Sequence, residues 1–235
     1  VLFRSFFVSL CLSGKKIINI PMPLILITND DGINAKGLRT LVELMTDLGE
    51  IIVVAPDKAQ SGMGHAITID DTLRLNQTNT FENIHPQNQN FDGGVMAFEC
   101  SGTPADCIKI AKRHVLNDKI PDLVVSGINH GSNSSISILY SGTMSAAIEA
   151  AIAGMPAIGF SLCDMDHDAD FSHCKSFVKK IVLQVLKTKL PKGIALNVNI
   201  PVNSKKAIKG IKICRQAHAK WQEQFDERKD PSGKN

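Results

Sequence analysis

Aromatic residues are scarce in this chain. They make up 5% of its 235 residues, with a single Trp and a single Tyr. So few rings argue against a stacking surface for single-stranded nucleic acid. A bias of charge is missing too. The 26 basic and 23 acidic residues leave a net charge of +3, too balanced to call for nucleic acid or an anionic membrane as partner. No run approaches the ~20 apolar residues that a membrane-spanning helix needs. The six cysteines are scattered, with no CxxC pair, and most sit beside aliphatic residues. They read as reduced core thiols of a cytoplasmic protein. The phosphate-binding glycine fingerprints of dinucleotide and P-loop proteins are absent, as are internal repeats.

What is present is a large apolar fraction, 43%. It is enough for one core, and an α/β domain of this length need not be divided. Residues 1–21 stand apart. An apolar run from Ser5 to Leu12 is followed by Lys15-Lys16, the reverse of a secretory signal, in which basic residues come first and a small-residue cleavage site comes after. The expectation is that Met22 is the natural start and residues 1–21 are upstream read-through. An export signal is the alternative.

From there the chain alternates apolar runs with amphipathic stretches. Leu24-Ile25-Leu26-Ile27 reads as a buried parallel strand that stops at Thr28-Asn29-Asp30-Asp31-Gly32. Leu38, Leu41, Val42, Met45 and Leu48 fall on one helical face, and Glu50 to Pro56 is a second strand. Strand, helix and strand together predict a βαβ unit with a right-handed crossover. Ile67 to Leu75 alternates loosely, as an antiparallel excursion would, and Asn76 to Gly94 reads as an exposed loop or lid. Val95 to Cys100 is a strand. Thr103, Pro104 and Asp106 then make a capping box. Asp122 to Ile128, Pro156 to Leu162 and Ile194 to Ile200 are further strands, and Gly210 to Arg215 is a candidate for one more. Asp164, Asp166, Asp168 and Asp170 resemble a calcium loop only superficially. The glycine and glutamate of such a loop are missing, so they read as an acidic lead-in to the next helix.

Each polar cluster falls at the carboxyl end of an apolar strand, and in an open parallel sheet those ends share one crevice. Two adjacent carboxylates, Asp30 and Asp31, repel each other unless a cation lies between them. Taken alone, the stretch leaves a solvated turn and a metal site equally open. Asp30, Asp31, Ser61 and Asn129 can converge across the sheet, and as oxygen donors they suit a hard cation. Tyr140-Ser141-Gly142-Thr143 opens a helix rich in small residues, a natural phosphate seat as well as an ordinary cap. Metal plus phosphate seat points to hydrolysis of a phosphate ester.

Six motifs carry a resemblance to a known family. They are Ile27-Thr28-Asn29-Asp30-Asp31-Gly32, then Val54-Ala55-Pro56-Asp57 with Ser61-Gly62, then Ser101 to Asp106, then Ser126-Gly127-Ile128-Asn129-His130-Gly131-Ser132-Asn133, then Tyr140 to Thr143, and Leu196 to Pro201. In order and together, over about Met22 to Arg215, they resemble the SurE family of survival-protein nucleotidases. The resemblance implies a Rossmann-like three-layer α/β fold with a mostly parallel central sheet and a small antiparallel excursion. It implies hydrolysis of nucleoside 5′- and 3′-monophosphates, with short polyphosphate as a further substrate. It also implies one divalent cation per subunit, Mg²⁺ or Mn²⁺, held by Asp30, Asp31, Ser61 and Asn129. Ser141, Gly142, Thr143, Gly62 and Asn133 would contact substrate, and His65 or His130 would protonate the leaving group. The assembly implied is a homodimer, with a tetramer as the larger form, built partly through a C-terminal extension of which residues 216–235 read as a shortened start. A broader sugar or polyphosphate phosphatase, and a Rossmann-like module that binds nucleotide or metal without hydrolysis, are the alternatives. An aspartyl-phosphate route fits less well, because the two aspartates are adjacent where haloacid-type phosphatases space them as DxD.

Overall fold

The computed structural model describes residues 22–86, 94–166, 168–202, 208–229 and 231–232. The expectations for residues 1–21, and part of the lid expected at 76–94, fall outside these. Seven strands form one sheet in the order β3-β4-β2-β1-β5-β6-β7. They are β1 (Leu24–Thr28), β2 (Glu50–Pro56), β3 (Leu75–Thr78), β4 (Val95–Cys100), β5 (Leu123–His130), β6 (Ala157–Leu162) and β7 (Ala195–Ile200). All neighbours pair parallel except β3, which runs antiparallel to β4 at the edge.

The helices are α1 (Lys36–Met45), α2 (Pro104–Ile110), α3 (Gly142–Ile152) and α4 (Lys175–Thr188). Alternate side chains of the buried strands feed two cores. Ile25 and Ile27 pack with Leu38, Leu41 and Met45 of α1 and with Val178 and Val182 of α4. Leu26 faces the other way, onto Cys107 and Ile108 of α2 and Met144, Ala147 and Ala150 of α3. The period of two along β1 thus sorts the helices into two outer layers. The crossovers β1-α1-β2 and β6-α4-β7 run over the same face in opposite directions along the sheet, so they have opposite hands.

Two expectations are corrected here. The antiparallel strand is not Ile67 to Leu75 but β3, which begins at Leu75 and takes Asn76 to Thr78 from the expected loop. An edge strand with a solvated side tolerates polar residues that a buried one does not. The same expected loop also carries Phe81 and Ile84, both buried in the core. The further strand at Gly210 to Arg215 does not form: residues 208–229 carry no strand or helix. Ile211 and Ile213 alternate, but they are 50% and 97% exposed, and alternation without a ladder partner does not make a strand. Among the described residues no helix is long and apolar enough to cross a membrane.

The polar strand ends meet because β1 lies between β2 and β5. The chain first fills the β2-β4-β3 side of β1 and then resumes at β5 on the other, so the β1/β5 junction is the topological switch point.

Candidate active site

Asp30 sits at the centre of the arrangement. The chain is buried to the end of β1, and Asn29 and Asp30 stay only 1% and 4% exposed just beyond it. The Asn29 amide nitrogen donates to the Gly32 carbonyl at 2.9 Å and closes the turn. Gly32 has φ +95°, and a Cβ there would lie 3.2 Å from the Lys58 carbonyl carbon. Only glycine lets the β1 and β2 loops meet this closely. Two backbone bonds then fasten them: Ile33 N–H to Pro56 O at 2.8 Å and Gln60 N–H to Asp30 O at 2.7 Å. Ser61 and Gly62 follow Gln60 and are exposed at the rim.

From the other side comes the start of α3. The Ser141 hydroxyl caps it, accepting from the Met144 N–H at 3.0 Å. Gly142 lies so close to Asp30 that a Cβ would come within 2.5 Å of the aspartate's own Cβ. The Thr143 hydroxyl donates to Asp30 Oδ1. Asp30 is therefore held beneath the first turn of a helix, where unpaired N–H groups and the dipole favour negative charge. Burial first, and then the neighbouring Asp31 charge, nevertheless push its carboxyl from the usual 3.8 up to about 6, against the Thr143 bond. Asp31 is half-buried beside it.

At the end of β5, next to β1, the Asn129 amide nitrogen donates to the Gly131 carbonyl at 2.9 Å. Gly131 N–H bonds to the carbonyls of Leu162 and Asp164, both at 2.8 Å. The following loop is anchored by asparagines. Asn133 donates its amide to the Ser161 hydroxyl at 2.8 Å and its backbone N–H to Asn199 Oδ1 at 2.8 Å. Its carbonyl accepts from the Asn197 amide at 2.7 Å, and Asn199 donates to Asn197 Oδ1 at 2.9 Å. Asn197 and Asn199 stand in the last of the sequence motifs, but their role in holding this loop shows only once β7 is beside β6.

His65 turns to a partner that sequence reasoning missed. Its Nε2 lies 3.0 Å from Oε2 of Glu149 in α3, and Lys109 of α2 donates to Glu149 Oε1 at 2.6 Å. Burial works to raise the Glu149 carboxyl, but the bonds from Lys109 and His65 outweigh it and hold it below the ordinary value. The available signal was a single carboxylate in a helix of small residues. His130 packs edge-on against Phe171, with ring centroids 5.0 Å apart.

So the structure joins Asp30, Gly142 and Thr143 directly, ties the Ser61-Gly62 loop to Asp30 through Gln60, and puts Asn129 on the adjacent strand end. It pairs His65 with Glu149. Among the described residues no three His, Cys, Asp or Glu side chains gather as a metal cluster. The candidate cation donors are instead two carboxylates with Ser and Asn oxygens. Asn29 Oδ1 is buried beside them with no hydrogen-bond partner, an oxygen left over in a site whose chemistry suits a hard ion.

Fold and site together define a doubly wound α/β protein with an acidic pair and a helix N-terminus brought together at the carboxyl ends of its central strands. The survival protein SurE family profile matches residues 25–223. A 5′-nucleotidase SurE from Cytophaga hutchinsonii is 64% identical over 212 residues, covering 90% of this chain and 78% of that protein. One from Bacteroides fragilis is 46% identical over 199 residues, covering 85% and 72%. The crystal structure of the SurE protein from Aquifex aeolicus superposes with a TM-score of 0.73 at 38% identity, covering 90% of this chain and 79% of that one. The chain belongs to the survival protein SurE family.

Proposed function

We propose that this chain is a phosphomonoesterase that hydrolyses nucleoside 5′- and 3′-monophosphates to nucleoside and phosphate, with short polyphosphate as a further substrate. The observation that supports it most is the burial of Asp30, beside Asp31, under the first turn of α3. An acidic pair facing an anion seat is self-defeating without a cation and useful with one. Relatives that carry the name 5′-nucleotidase at up to 64% identity support the same reading.

Asp30, Asp31, Ser61 and Asn129 would hold one divalent cation, Mg²⁺ or Mn²⁺, which when bound supplies Lewis-acid polarisation of phosphoryl oxygens and a water of lowered pKa. The chain's own residues do the rest. Ser141 and the N–H groups opening α3 receive the phosphate and the charge that develops on it. Thr143 spends its hydroxyl proton on Asp30 and so fixes the carboxylate rather than the substrate. Asp31 orients the attacking water. Gly62 and Asn133 border the ester. His65, with Nε2 engaged by Glu149, keeps Nδ1 to protonate the leaving alkoxide. The setting is cytoplasmic, in keeping with free thiols at Cys100, Cys107 and Cys174. The test is phosphate release from a panel of nucleotides, with each divalent ion supplied alone. The expected result is hydrolysis of nucleoside monophosphates that needs Mg²⁺ or Mn²⁺ and stops with chelator. Tight nucleotide binding with no release under any ion would instead mark a binding module.

A further inference from the structure

The single Tyr and single Trp of the chain lie far apart in sequence yet touch. The rings of Tyr140 and Trp221 have centroids 5.1 Å apart and are tilted by 38°. Neither is buried: Tyr140 is 48% exposed and Trp221 55%. Two large rings in contact and left this open present an aromatic face to solvent.

Their place is specific. Tyr140 immediately precedes Ser141, the cap of α3, and its carbonyl accepts from the Gly64 N–H at 3.2 Å. Its backbone is therefore pinned between the Ser61-Gly62 loop and the phosphate seat. Trp221 arrives on the extended 208–229 segment, which is moored nearby. Ser135 Oγ donates to the Ala217 carbonyl at 2.9 Å, and the Gln216 amide donates to the Ser135 carbonyl at 3.2 Å.

We infer that Tyr140 and Trp221 form a stacking subsite for the base of a nucleotide whose phosphate sits at Ser141 to Thr143. The inference rests on the nucleotidase reading and names the group that selects its substrate. A nucleoside monophosphate carries a flat base one sugar away from its phosphate, and the residue next to the phosphate seat is placed to meet it. Every base presents a π face, so such a subsite accepts all bases. It favours purines over pyrimidines by contact area. Esters that have no base gain nothing from it.

The test compares adenosine 5′-monophosphate with ribose 5-phosphate in the full chain, as wild type, Trp221→Leu and Trp221→Phe. Stacking on one ring corresponds to a change of about tenfold or more. In Trp221→Leu the ratio of kcat/KM for nucleotide over sugar phosphate is expected to fall by about that factor, through KM rather than kcat. Trp221→Phe is expected to restore most of it. A second readout does not need turnover. Fluorescence of the sole Trp is expected to be quenched by the nucleotide and not by ribose 5-phosphate. An unchanged ratio, with equal losses on both esters, would show that the ring pair only moors the 208–229 segment and would overturn the subsite, as would a quench that is the same for both ligands. Should the wild type release phosphate from neither ester, the nucleotidase reading fails. The quench then decides the subsite separately.

Discussion

At Asp30 three requirements meet in one side chain. It is buried under α3, the proposed cation needs it charged, and it stands beside a second carboxylate. Burial and Asp31 raise its carboxyl to about 6 from 3.8. A raised acid is one whose ionised form the fold disfavours, so the ion-free protein loses stability as pH rises from about 4 through about 6. The loss is of the order of 3 kcal/mol, from about two units at 1.36 kcal/mol each. Asp30→Asn removes that slope and the anionic ligand together. Melting in chelator is expected to show the wild type gaining stability from pH 7 to pH 5 relative to Asp30→Asn. Added Mg²⁺ or Mn²⁺ at pH 7 is expected to raise the melting temperature of the wild type alone, and Asp30→Asn, still folded, is expected to release no phosphate. Parallel pH profiles for the two proteins, or near-normal turnover in the variant, would count against this account. The place of Asp30 at a strand end was legible from sequence, because two adjacent carboxylates ended an apolar run. Glu149 was not, because the pairing of His65 with it spans separate elements and leaves no local pattern.

Among the elements, those that bury both faces were the most legible. β1, β2 and β5 are continuous apolar runs, and the capping box at α2 forms as its spacing requires, with Thr103 accepting from Asp106 N–H and Asp106 bonded back to Thr103 N–H. The misplaced antiparallel strand has a cause in the same box. The Thr103 hydroxyl donates to the Ala66 carbonyl at 2.7 Å, and Asp106 accepts from the Thr68 N–H at 3.1 Å and from its hydroxyl at 2.7 Å. Side chains satisfy the backbone of 66–68 there, so it has no need of a ladder despite the alternating Ile67 and Ile69. The box thus does two jobs, starting α2 and holding the segment that carries His65. Thr103→Ala is expected to cost about 1–2 kcal/mol of stability, read from denaturant midpoints. It is also expected to raise KM with a smaller change in kcat, since the loop and not the acidic pair is released. An unchanged KM would separate the cap from the site.

For the whole molecule, the layered architecture follows from the alternation of apolar and amphipathic runs, but the strand order does not. That β1 lies between β2 and β5 depends on which crossovers the helices can cover, and no local pattern states it. The same limit applies to the 208–229 segment, whose Ile213 and Phe225 are 97% and 93% exposed. We propose that these side chains are covered by a second copy of the chain. Light scattering of the purified protein is expected to give the mass of a dimer, and a monomer at micromolar concentration would reject it.

The position of β1 also governs how the protein is made. One edge of β1 is paired with β2 and the other with β5. The first partner leaves the ribosome soon after β1, the second only after β3, β4 and α2 have been synthesised. Until Leu123–His130 emerge, Ile25, Leu26 and Ile27 present an open apolar edge, and Asp30 waits still longer for Thr143. Such non-local closure slows folding and exposes the half-built sheet to wrong partners. The stage of synthesis before β5 emerges is the one at which a chaperone has most to protect.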